Sequence, residues 1–268
     1  MKKLLLSAIL CASLNANVNE AVLGILGLSE YNTHKNLINH IFKNEKDFYT
    51  NGRLDYSKIN DELEKNNLLK STTTSISGME ITFNFNENPK IAFKNINDIL
   101  RAVGIQNYTT TSQTTIDNQL QWSIKVQTAA AINPLKISNE LKNANCRVMD
   151  IKKEGKKLSF YIDSSKASIY KAEDLVTQRE VILKRANRPY FVELGSMYRV
   201  NIESNPGNSW YPMVTFYDSG FNAIEVVEKE SLEKSLKLVV PSGARFMKID
   251  DLYALTNIKN GLTITKEW

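Results

Sequence analysis

Cysteine and histidine are scarce in this chain: each occurs twice in 268 residues. There is no Cys-x-x-Cys pair, no His-Glu-x-x-His helix, no Gly-rich phosphate loop and no Gly-x-Ser-x-Gly elbow. His34 and His40 stand six apart, whereas metal ligands on one helical face need a spacing of three or four. No zinc and no other cofactor is therefore expected. No block of Lys and Arg stands out, so the positive balance reads as a mildly cationic surface and not as a nucleic-acid site. Acidic pairs occur at Asp61-Glu62, Glu173-Asp174 and Asp250-Asp251. Neighbouring acids on a helix diverge, which makes the first two solvated faces. Calcium takes six or more oxygens, and Asp250-Asp251 offers only one acidic pair. With no activated nucleophile and no candidate base, the expectation is a protein that is not an enzyme.

Long apolar runs are missing too. The longest, Leu4 to Leu14, is shorter than the ~20 residues a bilayer span requires. Behind Lys2 and Lys3, and before Asn15-Ala16, it reads as the core of a cleavable secretory signal over residues 1–16. Cys11 is a poor lipidation site, because Leu10 precedes it where a small residue belongs. The mature chain is thus expected in the periplasm, without a transmembrane span. Losing Lys2 and Lys3 lowers the formal charge from +5 to +3. Cys146 is then the only thiol, and an exported chain with one thiol must be held by packing alone.

Residues 17–50 begin with an apolar stretch, Val22-Leu23-Gly24-Ile25-Leu26-Gly27-Leu28. Ser29 follows as a helix N-cap, with Leu37, Ile38, Ile41 and Phe42 spaced for one helical face. Two readings stay open. The stretch packs on its own domain, or it docks a partner or a membrane surface through Leu23, Ile25, Leu26 and Leu28.

Residues 51–165 repeat. Lys58-Ile59-Asn60-Asp61-Glu62-Leu63 aligns without a gap with Lys136-Ile137-Ser138-Asn139-Glu140-Leu141, and Lys94–Ile105 fits after one insertion. Each helical pattern carries apolar residues four apart: Ile59 and Leu63, Ile96 and Leu100, Ile137 and Leu141. Each is followed by alternating apolar residues around a turn signal: Ser77-Gly78, Asp117-Asn118 and Glu154-Gly155. Three α-β-β units at a spacing of roughly forty residues are expected, with Asn133 and Pro134 starting the third helix. The order β-α-β-β-α-β-β fits a ferredoxin-like split βαβ sandwich. The alignment sets Cys146 opposite Leu68 and Ile105, so it reads as a buried core thiol.

Residues 166–188 form a connector in which Glu173–Ala186 fits a helix and Val181-Ile182-Leu183 fits a strand. Residues 189–268 read as short strands divided by Gly, Pro, Asn, Asp and Ser, the pattern of a β-sandwich. The expected fold class is therefore α+β: αββ repeats, then an all-β sandwich of jelly-roll type. Trp210 and Tyr211, beside Pro206, Gly207 and Pro212, are the candidate ligand or partner residues. Such aromatics are displayed for recognition or tucked into the sandwich core. The ending Leu262-Ile264-Lys266-Trp268 alternates like a barrel strand, but the rest of the chain lacks repeated amphipathic strands of ~10 residues.

The stretch Val240-Pro241-Ser242-Gly243-Ala244-Arg245-Phe246-Met247-Lys248-Ile249 resembles a late strand pair of jelly-roll, galactose-binding-like modules. This resemblance, confined to the last third of the chain, implies a carbohydrate or peptidoglycan ligand. The Asn- and Lys-rich composition, with a signal ending Leu14-Asn15-Ala16, resembles periplasmic envelope proteins of the Campylobacter and Helicobacter type. That resemblance implies a non-enzymatic scaffold or adaptor that contacts envelope protein partners, with a flagellar-motor association as its extension.

Overall fold

The structure is a computed structural model that describes residues 17–69, 72–130, 132–185 and 188–267. The signal segment, Cys11 and Trp268 lie outside the described residues. The chain divides into two compact units, the first ending at Tyr170 and the second beginning at Lys171.

The first unit opens with helices α1 (Val18–Leu26), α2 (Leu28–Thr33) and α3 (Lys35–Ile41). A small hairpin follows, β1 (Tyr49–Thr50) and β2 (Arg53–Leu54), then α4 (Tyr56–Lys65) and β3 (Thr72–Phe85). Next come α5 (Pro89–Ala102), β4 (Tyr108–Ile116), β5 (Gln119–Ala130), α6 (Pro134–Lys142), β6 (Arg147–Glu154) and β7 (Lys157–Asp163). The last five strands form one sheet in the order β4-β5-β3-β7-β6. Every neighbouring pair is antiparallel except β3 with β7, which is parallel.

Two of the three expected helix-plus-hairpin units are present. The β4–β5 turn uses Asp117 and Asn118 at φ 50° and 62°, and the β6–β7 turn uses Gly155 at φ 58°, as tight hairpins require positive φ at their centre. The first hairpin is a correction. Ser77 and Gly78 lie inside the continuous strand β3, opposite Thr128 and Gln127 of β5. Gly78 does not adopt a positive φ, so no turn forms and α4 is followed by one strand. The turn that sequence reading missed is Asn51-Gly52, with φ 52° and 73°, which closes β1 onto β2.

The helical stripes do what their spacing requires. Ile59, Leu63, Ile96, Leu100, Ile137 and Leu141 are all fully buried in one core with the sheet. Across that sheet Trp122, Phe83, Phe160 and Ile151 stand side by side in register. Asn133 caps α6 by accepting from the Leu135 amide, with Pro134 in the first turn.

At the N-terminus, Asn17 and Glu20 form a reciprocal capping box on α1. The expected cap at Ser29 is not used. Gly27, at φ 79°, breaks the helix after Leu26, so Ser29 already lies inside α2. Helix α1 buries Val18, Ala21, Val22, Ile25 and Leu26 in the core of this unit. Gly24 makes the approach to β6 possible, since a Cβ there would stand 2.2 Å from the Ile151 carbonyl oxygen.

The second unit contains no α-helix among the described residues. Its strands are β8 (Glu173–Asp174), β9 (Glu180–Leu183), β10 (Tyr190–Glu193), β11 (Arg199–Ser204) and β12 (Pro212–Tyr217). They continue with β13 (Ala223–Glu228), β14 (Ser235–Val239), β15 (Phe246–Asp251) and β16 (Leu262–Glu267). Two sheets result, ordered β13-β12-β15-β10-β8 and β14-β11-β16-β9. The helical alternative over Glu173–Ala186 gives way to the two strands β8 and β9, with Ala186 outside the described residues. Val181 and Leu183 are buried while Ile182 is exposed, a period of two, and β9 pairs with β16. The sandwich thus takes in much of the expected connector. The whole is an α+β protein.

Two stability tests follow. Gly to Ala inside a helix ordinarily stabilises by ~1 kcal/mol. Gly24→Ala is expected instead to destabilise the first unit by about 1–3 kcal/mol, because the methyl group overpacks against Ile151; urea unfolding measures it. Asp163 closes the end of β7. Burial alone would raise its pKa, but donors from Ser165, Asn86 and Arg147 outweigh that and hold it below the usual carboxylate range. A depressed folded pKa contributes stability above the unfolded value of ~3.9 that is lost as pH falls through the folded value. Acid titration of the wild type should show this loss, and Asp163→Asn should flatten it.

Candidate functional site

The residues that invite a chemical role are occupied structurally. Cys146 is buried, its Sγ lies 3.6 Å from the Ala144 carbonyl, and burial pushes the thiol up to about 12. A thiol so protonated is a poor nucleophile at neutral pH. His34 stands 3.7 Å from Glu30 one helical turn away, and His40 is exposed. No group of three His, Cys, Asp or Glu able to hold a metal occurs among the described residues. Asp251 is a structural tie. Its Oδ1 accepts from the Tyr253 and Ala254 amides and from Asn257 Nδ2, and its Oδ2 accepts from the Tyr211 amide. Asp250 Oδ2 pairs with Lys248 at 3.0 Å. With its oxygens saturated by N–H donors, this acidic pair is not arranged for calcium.

Of the two open readings of the apolar N-terminal stretch, packing on its own domain is the one the structure adopts, and the alternative docking patch does not assemble. Ile25 and Leu26 are buried in the core of the first unit, Leu23 is half-buried, and only Leu28 is well exposed, at 67%. The cause is helical geometry: α1 turns the Ile25 and Leu26 side onto β6, and Gly24 lets the backbones meet. Trp210 is the second correction. It is fully buried in the sandwich core, and its Nε1 donates to the Asp250 carbonyl at 3.0 Å. A buried indole with a satisfied N–H packs the core and displays nothing.

Tyr211 differs from its neighbour. It is half-buried and meets Tyr253 edge-on, with centroids 5.0 Å apart and planes at 80°. Tyr253 is 65% exposed. Its place beside Tyr211 arises because Pro212 pairs with Asp251 across β12 and β15. That cross-strand register is invisible in the linear chain.

The alternation of β12 extends this site. Val214 and Phe216 point into the core, so Tyr211, Met213, Thr215 and Tyr217 take the opposite face, half-buried except for Thr215, which is buried. On β15, Met247 and Ile249 are core residues, which places Phe246, Lys248 and Asp250 on the opposite face, where Phe246 is nevertheless buried. At the far end, the loop from Asp218 to Asn222 is closed by hydrogen bonds from the Asn222 amide and side chain to the Asp218 carboxylate. This loop folds Phe221 over the sheet. The Phe221 ring stacks on Tyr217 at 4.5 Å and 15°, with Phe246 and Phe191 beyond at 6.3 and 6.1 Å. Phe221 has φ 61°, a strained choice for a bulky aromatic that the loop must enforce. Two aromatic stations thus flank the outer face, six residues or about 20 Å apart along β12. Lys248 and Asp250, paired at 3.0 Å, lie between them, and Thr215 there is buried.

Comparison of the chain with protein families, with curated proteins and with solved structures finds no match in any of the three.

The contrast between the two aromatic environments is measurable. Trp210→Ala should cost about 3–5 kcal/mol of sandwich stability by urea unfolding, while Tyr253→Ala should change it by less than about 0.5 kcal/mol.

Proposed function

We propose that the protein is a non-enzymatic component of the cell envelope that acts by binding, and that its C-terminal sandwich takes an extended glycan such as a peptidoglycan strand. The observation that carries this reading is the pair of aromatic stations, Tyr211 with Tyr253 and Tyr217 with Phe221, on one face. Ring faces open to solvent, as on Tyr253 and in part on Tyr211, Tyr217 and Phe221, stack on the apolar faces of sugars, and Lys248 and Asp250 between them supply hydrogen bonds. A separation of about 20 Å suits several sugar rings in a row. We read the sandwich as a jelly-roll, galactose-binding-like module, which its two-sheet architecture supports. In the first unit β3 and β4 run parallel with β5 between them, which supports a ferredoxin-like split βαβ reading of that half. The signal-like residues 1–16 support export to the periplasm. No helix among the described residues is long and apolar enough to cross a membrane.

A second reading, an adaptor for envelope proteins with motility as its extension, is favoured by β13. Among the described residues this strand pairs only with β12 and ends its sheet, and five of its six residues are exposed, Ile224 and Val226 among them. An open apolar edge accepts an added strand from a partner.

The test is titration of the full chain with chito-oligosaccharides and soluble peptidoglycan fragments. Saturable binding is expected, weakened at least about fivefold by Tyr253→Ala or Phe221→Ala, the loss of ~1 kcal/mol of ring stacking. Absence of binding, or variants that bind like the wild type, would contradict the glycan reading.

A further inference from the structure

The first unit holds a cleft of about 720 Å³, walled by the β1–β2 hairpin, the first turn of α4, the end of α6 and the start of β6. Its volume lies within the ~300–1,000 Å³ typical of small-molecule sites. Leu54, Tyr56 and Val148 give it an apolar lining, while Arg53, Lys142, Arg147 and Lys166 also line it.

The charges there do not balance. The one carboxylate in the lining, Asp55, is committed to the fold: its Oδ1 accepts from the Ser57 and Lys58 amides and its Oδ2 from Thr50 Oγ1. Arg147 pairs with Asp163 at 3.3 Å. Arg53, Lys142 and Lys166 form no ion pair among the described residues. Against the Asp55 carboxylate, Arg53, Lys142 and Lys166 leave the concavity with an excess of positive charge, and its low-dielectric walls focus the field. The cations arrive from four places in the chain. The Asn51-Gly52 turn holds Arg53, the last turn of α6 holds Lys142, β6 begins at Arg147, and Lys166 follows β7.

We propose that this cleft binds a small organic anion, with carboxylate or phosphate groups on a partly apolar body. The charged groups meet Arg53, Lys142 and Lys166, and the apolar body lies against Leu54, Tyr56 and Val148. The site lies in a different unit from the glycan face, so failure of one leaves the other standing.

Isothermal titration of the full chain at low salt tests the proposal with three probes: phthalate, phenyl phosphate and neutral benzyl alcohol. At least one of the two anions should bind saturably, and tighter binding by one of them assigns the head group. Benzyl alcohol should bind far more weakly. Arg53→Ala and Lys142→Ala, both at exposed positions, should each weaken the anion at least about tenfold, as loss of a hydrogen bond to a charged group does. Lys237→Ala, in the sandwich, should leave its affinity unchanged. The proposal is overturned if neither anion binds saturably, or if the two cleft variants bind it like the wild type.

Discussion

Four side chains in register, Trp122, Phe83, Phe160 and Ile151, run across the sheet of the first unit, and its architecture hangs on them. All four are buried. Phe83 stacks between Trp122 at 6.1 Å and Phe160 at 5.4 Å, and Phe93 and Tyr108 close edge-on over Trp122. A one-residue slip of β3 would turn this whole row to the other face, so burial specifies the register of a strand that pairs parallel on one side and antiparallel on the other. Among the described residues no disulfide enforces it, since Cys146 is a free thiol. Each fully buried large side chain contributes about 1.5–3 kcal/mol, and that contribution stands in for a crosslink.

The end of the row decides what the N-terminal segment does. Ile151 lies on β6, and its carbonyl is the atom over which Gly24 of α1 passes. The most apolar stretch after the signal-like segment is therefore spent inside the unit that follows it. The two proposed binding surfaces are those that keep chemistry after both cores are closed: the aromatic face of the sandwich and the cationic cleft of the first unit. In each, polar or aromatic side chains face solvent while their own strand or helix is anchored by buried neighbours. Tyr211 and Tyr217 rest on the core residues Val214 and Phe216, and Arg53 rests on a hairpin tied down through Asp55.

Much of this was legible in the sequence wherever a local signal and a tertiary demand agree. Asp117-Asn118 and Gly155 specify turns because they adopt positive φ, and Asn133-Pro134 starts a helix because cap and first turn are both served there. Ser77-Gly78 carries a similar local signal, yet the partner strand β5 extends far enough to pair it as ladder. Asn51-Gly52 was overlooked because its strands are only two residues long and show no alternation. Trp210 beside Pro and Gly looks alike whether buried or displayed, and only the pairing of Pro212 with Asp251 separates it from Tyr211. Tyr253 joins Tyr211 from a turn distant in sequence, Phe221 folds back from the loop after β12, and the cleft draws cations from positions 53 to 166. No periodicity reports such convergence.

The central claim is that the apolar N-terminal segment closes its own core, leaving recognition to the sandwich face and the cleft. Amide hydrogen exchange on the full chain tests it most directly, because opening free energies separate docked from detached elements. The account predicts that Val22, Leu23 and Ile25 in α1 exchange as slowly as the amides of β6. Rapid exchange throughout α1, with β6 still protected, would show the segment free for a partner and contradict the account.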